Sequence, residues 1–183
     1  MNTNFLKILQ LQKKIPIVGK GTASDIFQKV NDLILQDYKI IEITLRSESA
    51  LDVSIEIKKK YPDIAIGLGS IKSIEELTEV SNYKFNFYIS PGINEKMLEF
   101  SNSKALNFIP GISTPSEIMK GIEYEYDILK FFHAEKNGGI NTLRFFNDIF
   151  QKILFIPTGG INAQNYNLYL KESNVIGVGS TSF

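Results

Sequence analysis

Short apolar runs alternate with longer amphipathic stretches along the whole chain. The runs are Ile15–Val18, Ile40–Leu45, Ile64–Leu68, Phe85–Ile89, Ala105–Ile109, Asp127–Phe132, Ile153–Ile156 and Val175–Val178. Each has strand length, and most are rich in Ile, Val or Phe, as strands buried on both faces are. Between them lie stretches of helical period. Ser24–Gln36 places Ile26, Phe27, Val30, Leu33 and Ile34 on one stripe, and Glu48–Lys60 sets Leu51 and Ile55 against a wet side of Lys58–Lys60. Thr114–Gly121 opens with Thr-Pro-Ser-Glu, a capping-box pattern with Pro at the first helical position. Gly138–Phe150 and Asn162–Lys171 complete the series.

Strand candidates thus recur at roughly 20–25 residues, each but the last followed by a helix candidate. Such a series closes either as an open doubly wound sheet or as an eight-stranded barrel. Eight units in 183 residues favour the compact α/β solution, a TIM (β/α)8 barrel. With no composition shift or linker, residues 1–183 read as a single barrel domain. No stretch after the last run supplies a C-terminal eighth helix. The N-terminal segment Asn4–Lys14 carries a fair helical stripe of Leu6 and Leu9 and is expected to close the barrel bottom. A neighbouring subunit is the other candidate to cover the open side.

Composition narrows the function. The 20 basic and 20 acidic side chains balance, so no field gathers nucleic acid. Cysteine is absent and there is one histidine, which leaves no thiolate or multi-histidine metal centre. No apolar run approaches the roughly 18 residues of a membrane helix. Met1–Lys14 lacks the apolar stretch and cleavage site of a signal peptide. The expected setting is the cytoplasm.

Candidate chemistry gathers where strands end, because a barrel of this kind works at the C-terminal ends of its strands. Two apolar strands contain a charge. Alternation puts Glu42 on one face with Ile40 and Thr44, and Lys130 on one face with Ile128 and Phe132. A charge inside a barrel is costly unless paired, hydrated or neutralised. A structural Glu42–Lys130 ion pair is one reading. The other is catalytic. A lysine adds to a ketone only as the neutral amine, and apolar surroundings disfavour an ammonium. Imine chemistry then needs proton transfers at the carbinolamine hydroxyl, at C3 and at the aldehyde oxygen. A neighbouring carboxylate relays them. No cofactor is required.

A keto acid also presents a carboxylate. Arg46, after Glu42, can hold it with a bidentate fork, and Ser70 can add a hydroxyl. A rim salt bridge is the alternative for Arg46. Thr158-Gly159-Gly160 and Gly179-Ser180, at the seventh and eighth strand ends, offer backbone N–H groups and hydroxyls where barrels often hold phosphate.

These motifs resemble the aldolases of 2-keto-3-deoxy-6-phosphogluconate (KDPG) and 4-hydroxy-2-oxoglutarate (KHG), the Entner–Doudoroff family. Ile15-Pro16-Ile17-Val18, Ile41-Glu42-Ile43-Thr44-Leu45-Arg46, Ile89-Ser90-Pro91-Gly92, Ile109-Pro110-Gly111-Ile112-Ser113-Thr114, Lys130-Phe131-Phe132-x-Ala134-Glu135 and Pro157-Thr158-Gly159-Gly160-Ile161 are similar to its markers, in order. The resemblance implies Lys130 as Schiff-base nucleophile, Glu42 as acid/base, and Arg46 with Ser70 as keto-acid ligands. It implies Gly159, Gly160 and Ser180 at the phosphate, with Pro91 and Thr158 as further substrate-binding positions. It also implies a homotrimer. Three departures stand out: His133 where the family usually has Pro, Ser70 where it usually has Thr, and no segment for the terminal helix.

The resulting expectation is a class I aldolase that cleaves a 2-keto-3-deoxy-6-phospho sugar acid to pyruvate and glyceraldehyde 3-phosphate, or 4-hydroxy-2-oxoglutarate to pyruvate and glyoxylate. The alternative is a catalytically weak keto-acid or sugar-phosphate binding barrel of the same descent. Another phosphate-binding barrel, such as an isomerase, has no need of the lysine and glutamate.

Overall fold

The computed structural model describes residues 3–183. Met1 and Asn2, at the head of the stretch read as lacking a signal peptide, lie outside the described residues. Along the chain run α1 (Thr3–Gln12), β1 (Lys14–Val18), α2 (Ala23–Leu35), β2 (Ile40–Thr44), α3 (Ala50–Lys60), β3 (Ala65–Gly69), α4 (Ile74–Ser81) and β4 (Phe87–Ile89). There follow α5 (Glu95–Ser103), β5 (Phe108–Ile109), β6 (Gly111–Ile112), α6 (Pro115–Glu123), β7 (Ile128–Phe132), α7 (Gly139–Ile149), β8 (Leu154–Thr158), α8 (Tyr166–Tyr169) and β9 (Val178–Ser180).

Every strand pairing is parallel, in the order β5-β4-β3-β2-β1-β9-β8-β7-β6. The two ends of that order, β5 and β6, are separated in sequence by Pro110 alone. They are halves of one strand. Proline has no amide to donate to a ladder, so the strand breaks there and changes partner, from β4 before Pro110 to β7 after it. The Pro110 carbonyl still accepts the Lys130 amide at 2.9 Å. The ring therefore closes through eight strand positions, as the spacing predicts for a TIM-type barrel.

Alternation sorts the strand residues as expected. Ile41, Ile43, Leu129 and Phe131 pack outward in the layer between sheet and helices. Ile15, Ile40, Ala65, Phe87, Ile128 and Ile156 form a second, inner cluster, joined by Phe5 and Leu9 of α1. Helix α1 thus plugs the bottom of the barrel, with the Phe5 and Phe87 ring centroids 5.0 Å apart. Above this apolar floor the inward residues turn polar: Glu42, Thr44, Lys130 and Thr158 are all buried.

Two elements depart from expectation. The helix expected over Asn162–Lys171 shrinks to the single turn of α8. The Asn165 side chain accepts from the Asn162 amide at 2.8 Å, and Asn162 from the Gln164 amide at 2.9 Å. These local bonds offer the backbone an alternative to helix. The last strand forms over Val178–Ser180, C-terminal to the expected Val175–Val178, with Val175 making only an isolated bridge to Phe155. Thr181–Phe183 follow β9, and the Phe183 ring meets Tyr166 edge-on at 5.7 Å.

Candidate active site

A cavity of about 230 Å³ opens at the C-terminal mouth of the barrel, the end opposite α1. Ile17, Glu42, Thr44, Arg46, Lys130 and Phe132 line one part of it. His133, Thr158–Ile161 and Gly179–Thr181 line the rest. Strand register explains the convergence: Glu42 pairs with Ile17 of β1, Phe132 with Thr158, and Thr158 in turn with Gly179.

Lys130 and Glu42 stand at the bottom of the cavity, 6% and 2% exposed. Lys130 Nζ lies 3.7 Å from Glu42 Oε1 and 5.0 Å from the centroid of the Phe132 ring. At this distance the two groups form an ion pair without a direct hydrogen bond between them. Here Glu42 Oε1 is buried without any hydrogen-bond partner. The gap leaves both groups with unfilled bonding capacity facing the same space. Gly69 makes room for the carboxylate: a Cβ there would lie 1.9 Å from Glu42 Oε1. Thr44, one turn of the pleat above Glu42, is held by donating to the Val18 carbonyl at 3.2 Å.

Arg46 lies at the exposed rim, and its Nε donates to Ser70 Oγ at 3.1 Å. Ser70 follows β3 with φ of +64°, a left-handed conformation that is unusual for a residue with a Cβ. The structure brings Ser70 to Arg46 and does not bring it to the cavity wall. Pro91 is also outside the cavity. It is exposed after β4, and its backbone packs on Gly111, where a Cβ would stand 2.4 Å from the Pro91 carbonyl carbon.

The loops after β8 and β9 form the opposite wall. Gly159 and Gly160 have φ of +98° and +78°. The side chains of Asn162 and Asn165 donate to the Gly160 carbonyl at 3.3 and 3.0 Å. In a trans peptide the next amide, Ile161 N–H, then points the opposite way. Among the described residues, neither the Gly160 nor the Ile161 amide donates to a protein acceptor. The Ser180 hydroxyl is committed: it donates to the Ile161 carbonyl and accepts from the Ser182 amide at 3.0 Å. Ser180 therefore ties the two loops together, and the free donors of this wall include the Gly160 and Ile161 amides and the exposed Thr181 hydroxyl. The segment after β7 is fastened to the same loop, since Ala134 N–H donates to the Thr158 carbonyl at 2.8 Å and Glu135 N–H to the Gly159 carbonyl at 3.2 Å.

Ile17, Ile161 and Thr181 also line the cavity, and sequence reasoning missed them. Ile17 had a signal in the alternation of β1. Thr181 follows the last apolar run too closely for any pattern to mark it. Among the described residues, no three His, Cys, Asp or Glu side chains are grouped to hold a metal ion. No helix among them is long and apolar enough to cross a membrane.

A parallel barrel with an unclosed lysine–carboxylate pair at its C-terminal mouth has the layout of an imine-forming aldehyde-lyase. The chain matches the KDPG and KHG aldolase family model over residues 6–183. It is 34% identical over 179 residues to the KHG/KDPG aldolase of Escherichia coli K12, covering 98% of this chain and 84% of that one. It is 35% identical over the same length to the 2-dehydro-3-deoxy-phosphogluconate aldolase of Dickeya dadantii, with the same coverage. Among solved structures, a KDPG aldolase from Legionella pneumophila, with pyruvate captured at low pH as a covalent carbinolamine, superposes with a TM-score of 0.92. That match is 30% identical and covers 96% of this chain and 85% of the other. The chain belongs to the KDPG and KHG aldolase family, and it is a class I, Schiff-base aldehyde-lyase.

Proposed function

We propose that the chain cleaves a 2-keto-3-deoxy-6-phospho sugar acid to pyruvate and glyceraldehyde 3-phosphate through an imine at Lys130. The buried Lys130–Glu42 pair at 3.7 Å carries this reading. The amine adds to the C2 ketone, and loss of water from the carbinolamine gives the protonated imine. That imine is the electron sink. Glu42 accepts the proton of the C4 hydroxyl, directly or through one water, as the C3–C4 bond breaks and the aldehyde leaves. Protonation of the enamine at C3 and hydrolysis then release pyruvate and the free lysine. Arg46, steadied by Ser70, is suited to the keto-acid carboxylate at the rim.

The distal phosphate falls to the amides of Gly160 and Ile161, in the loop that Ser180 braces, with Thr158 beside them. Pro91 then acts at a distance, by shaping the β4 end. The same reading takes the enzyme to work in the cytoplasm as a homotrimer.

Borohydride reduction in the presence of pyruvate tests the core of the proposal. It should add one three-carbon unit, mapped to Lys130, and Lys130→Ala should lose both the adduct and nearly all turnover. An adduct at Lys20, or none on a folded protein, would sink the assignment. For the phosphate, the phosphorylated substrate should exceed 4-hydroxy-2-oxoglutarate in kcat/KM by more than about 10-fold, an effect of only 1.4 kcal/mol. Equal efficiency would move the preferred substrate to the unphosphorylated keto acid.

A further inference from the structure

His133 is the only histidine of the chain, and it stands three residues beyond Lys130 on the cavity wall. Its ring lies directly on Gly159: a Cβ at that glycine would be 2.6 Å from His133 Cγ and Cδ2 and 2.8 Å from Nδ1. A Cβ at Gly160 would come within 3.5 Å of Cε1. The imidazole therefore borders the stretch of wall that carries the free Gly160 and Ile161 amides.

The two ring nitrogens differ in their surroundings. Nδ1 is sealed from solvent and has no hydrogen-bond partner. Nε2 makes no hydrogen bond to the protein and is not sealed. A buried N–H without an acceptor is among the rarest arrangements in folded proteins, while a buried acceptor left unused is more readily tolerated. In the neutral ring the proton accordingly belongs on Nε2, the nitrogen that a ligand can reach. Nδ1 faces the Gly159 backbone.

We propose that His133 is a specificity residue, whose Nε2–H donates a hydrogen bond to the phosphoryl group held by the Gly160 and Ile161 amides. The proposal rests on the phosphate reading above and extends it to a side chain. The backbone amides supply a fixed pocket, and the imidazole adds one directed bond from the β7 side of the cavity.

Asparagine and glutamine separate the two nitrogens, because a glutamine amide reaches the place of Nε2 and an asparagine amide that of Nδ1. The measurement is kcat/KM for the phosphorylated keto acid relative to 4-hydroxy-2-oxoglutarate, for wild type, His133→Ala, His133→Asn and His133→Gln. Pyruvate trapping by borohydride reports whether each variant keeps a folded site. The preference should fall about 10-fold or more in His133→Ala and His133→Asn, the cost of one hydrogen bond to a charged group, with the loss in KM. His133→Gln should restore most of it. If Ala does not fold, the Asn and Gln pair decides. A wild-type preference that survives in His133→Asn overturns this proposal alone and leaves His133 as packing on Gly159. Equal loss in Asn and Gln overturns it as well. A wild type that shows no preference overturns the phosphate reading, and this proposal with it.

Discussion

At the scale of single residues, the site depends on space as much as on charge. Glu42 sits where it does because Gly69 has no side chain, since any Cβ would be 1.9 Å from its carboxylate oxygen. Glu42→Gln keeps the shape and removes the base. It should slow turnover by about 10²–10⁴-fold, the usual range for a general acid/base, while pyruvate is still trapped on Lys130. Gly69→Ala keeps the base and removes its place. It should lose activity to a comparable degree by pushing the carboxylate off the Lys130 side. Steady-state rates and trapping on both variants check this, and near-normal turnover in Glu42→Gln would reduce Glu42 to a structural partner. Lys130 and Glu42 were legible in the sequence because a charge inside an apolar run breaks a strong local pattern. His133 was visible only as a departure, since nothing local tells which ring nitrogen will be sealed. The commitment of the Ser180 hydroxyl to the Ile161 carbonyl joins residues 19 positions apart, and no local pattern carries such a bond.

At the scale of elements, strands and helices with a strong period were legible and those governed by one side-chain bond were not. The Thr114-Pro115-Ser116-Glu117 pattern reads as a helix start, and α6 begins there with a full capping box. Pro110 was read within a motif, but its effect is topological, breaking one strand and passing the ladder from β4 to β7. The single turn α8 fails as a helix because Asn162 and Asn165 bond their own loop. The α6 cap yields a pH prediction. Burial raises the Glu117 carboxyl, but hydrogen bonds from the Ser113 and Thr114 amides and hydroxyls outweigh it and hold it below the ordinary carboxylate value. A group depressed on folding adds stability above its unfolded value, and that stability is lost as pH falls through the folded value. Wild type should therefore melt above Glu117→Gln at neutral pH, with the gap closing as pH drops below about 4, the ordinary carboxylate range. Thr114→Ala, which removes the other half of the box, should lower Tm by about 2–4 °C, the effect of roughly 1 kcal/mol in a chain of this size. Calorimetry across pH reads both, and a gap that widens in acid would refute the assignment.

At the scale of the whole molecule, the barrel buries its inner and outer clusters well, yet one sector stays apolar outside. Met119 and Ile122 on α6, Phe145 and Ile149 on α7, and Leu168 on α8 are each between 44% and 62% exposed. The strands that precede these helices, β6, β7 and β8, are neighbours in the ring, so the helices follow one another around the barrel. Leu11 and Leu35 are more exposed still, but each stands on a separate element, and a lone exposed leucine is ordinary. A run of apolar side chains over neighbouring helices is what a protein–protein contact needs. The homotrimer implied by the family resemblance would bury it. Sedimentation equilibrium at micromolar concentration should then give three times the 20.7 kDa of the chain. Charging the sector, with Phe145→Glu and Ile149→Glu together, should shift the mass toward that of one chain. Pyruvate trapping on Lys130 should persist in the dissociated protein, because Lys130 and Glu42 lie side by side on β7 and β2 of one barrel. A wild-type chain that sediments as a monomer would mean that this sector faces water in solution and that assembly plays no part in holding the barrel together.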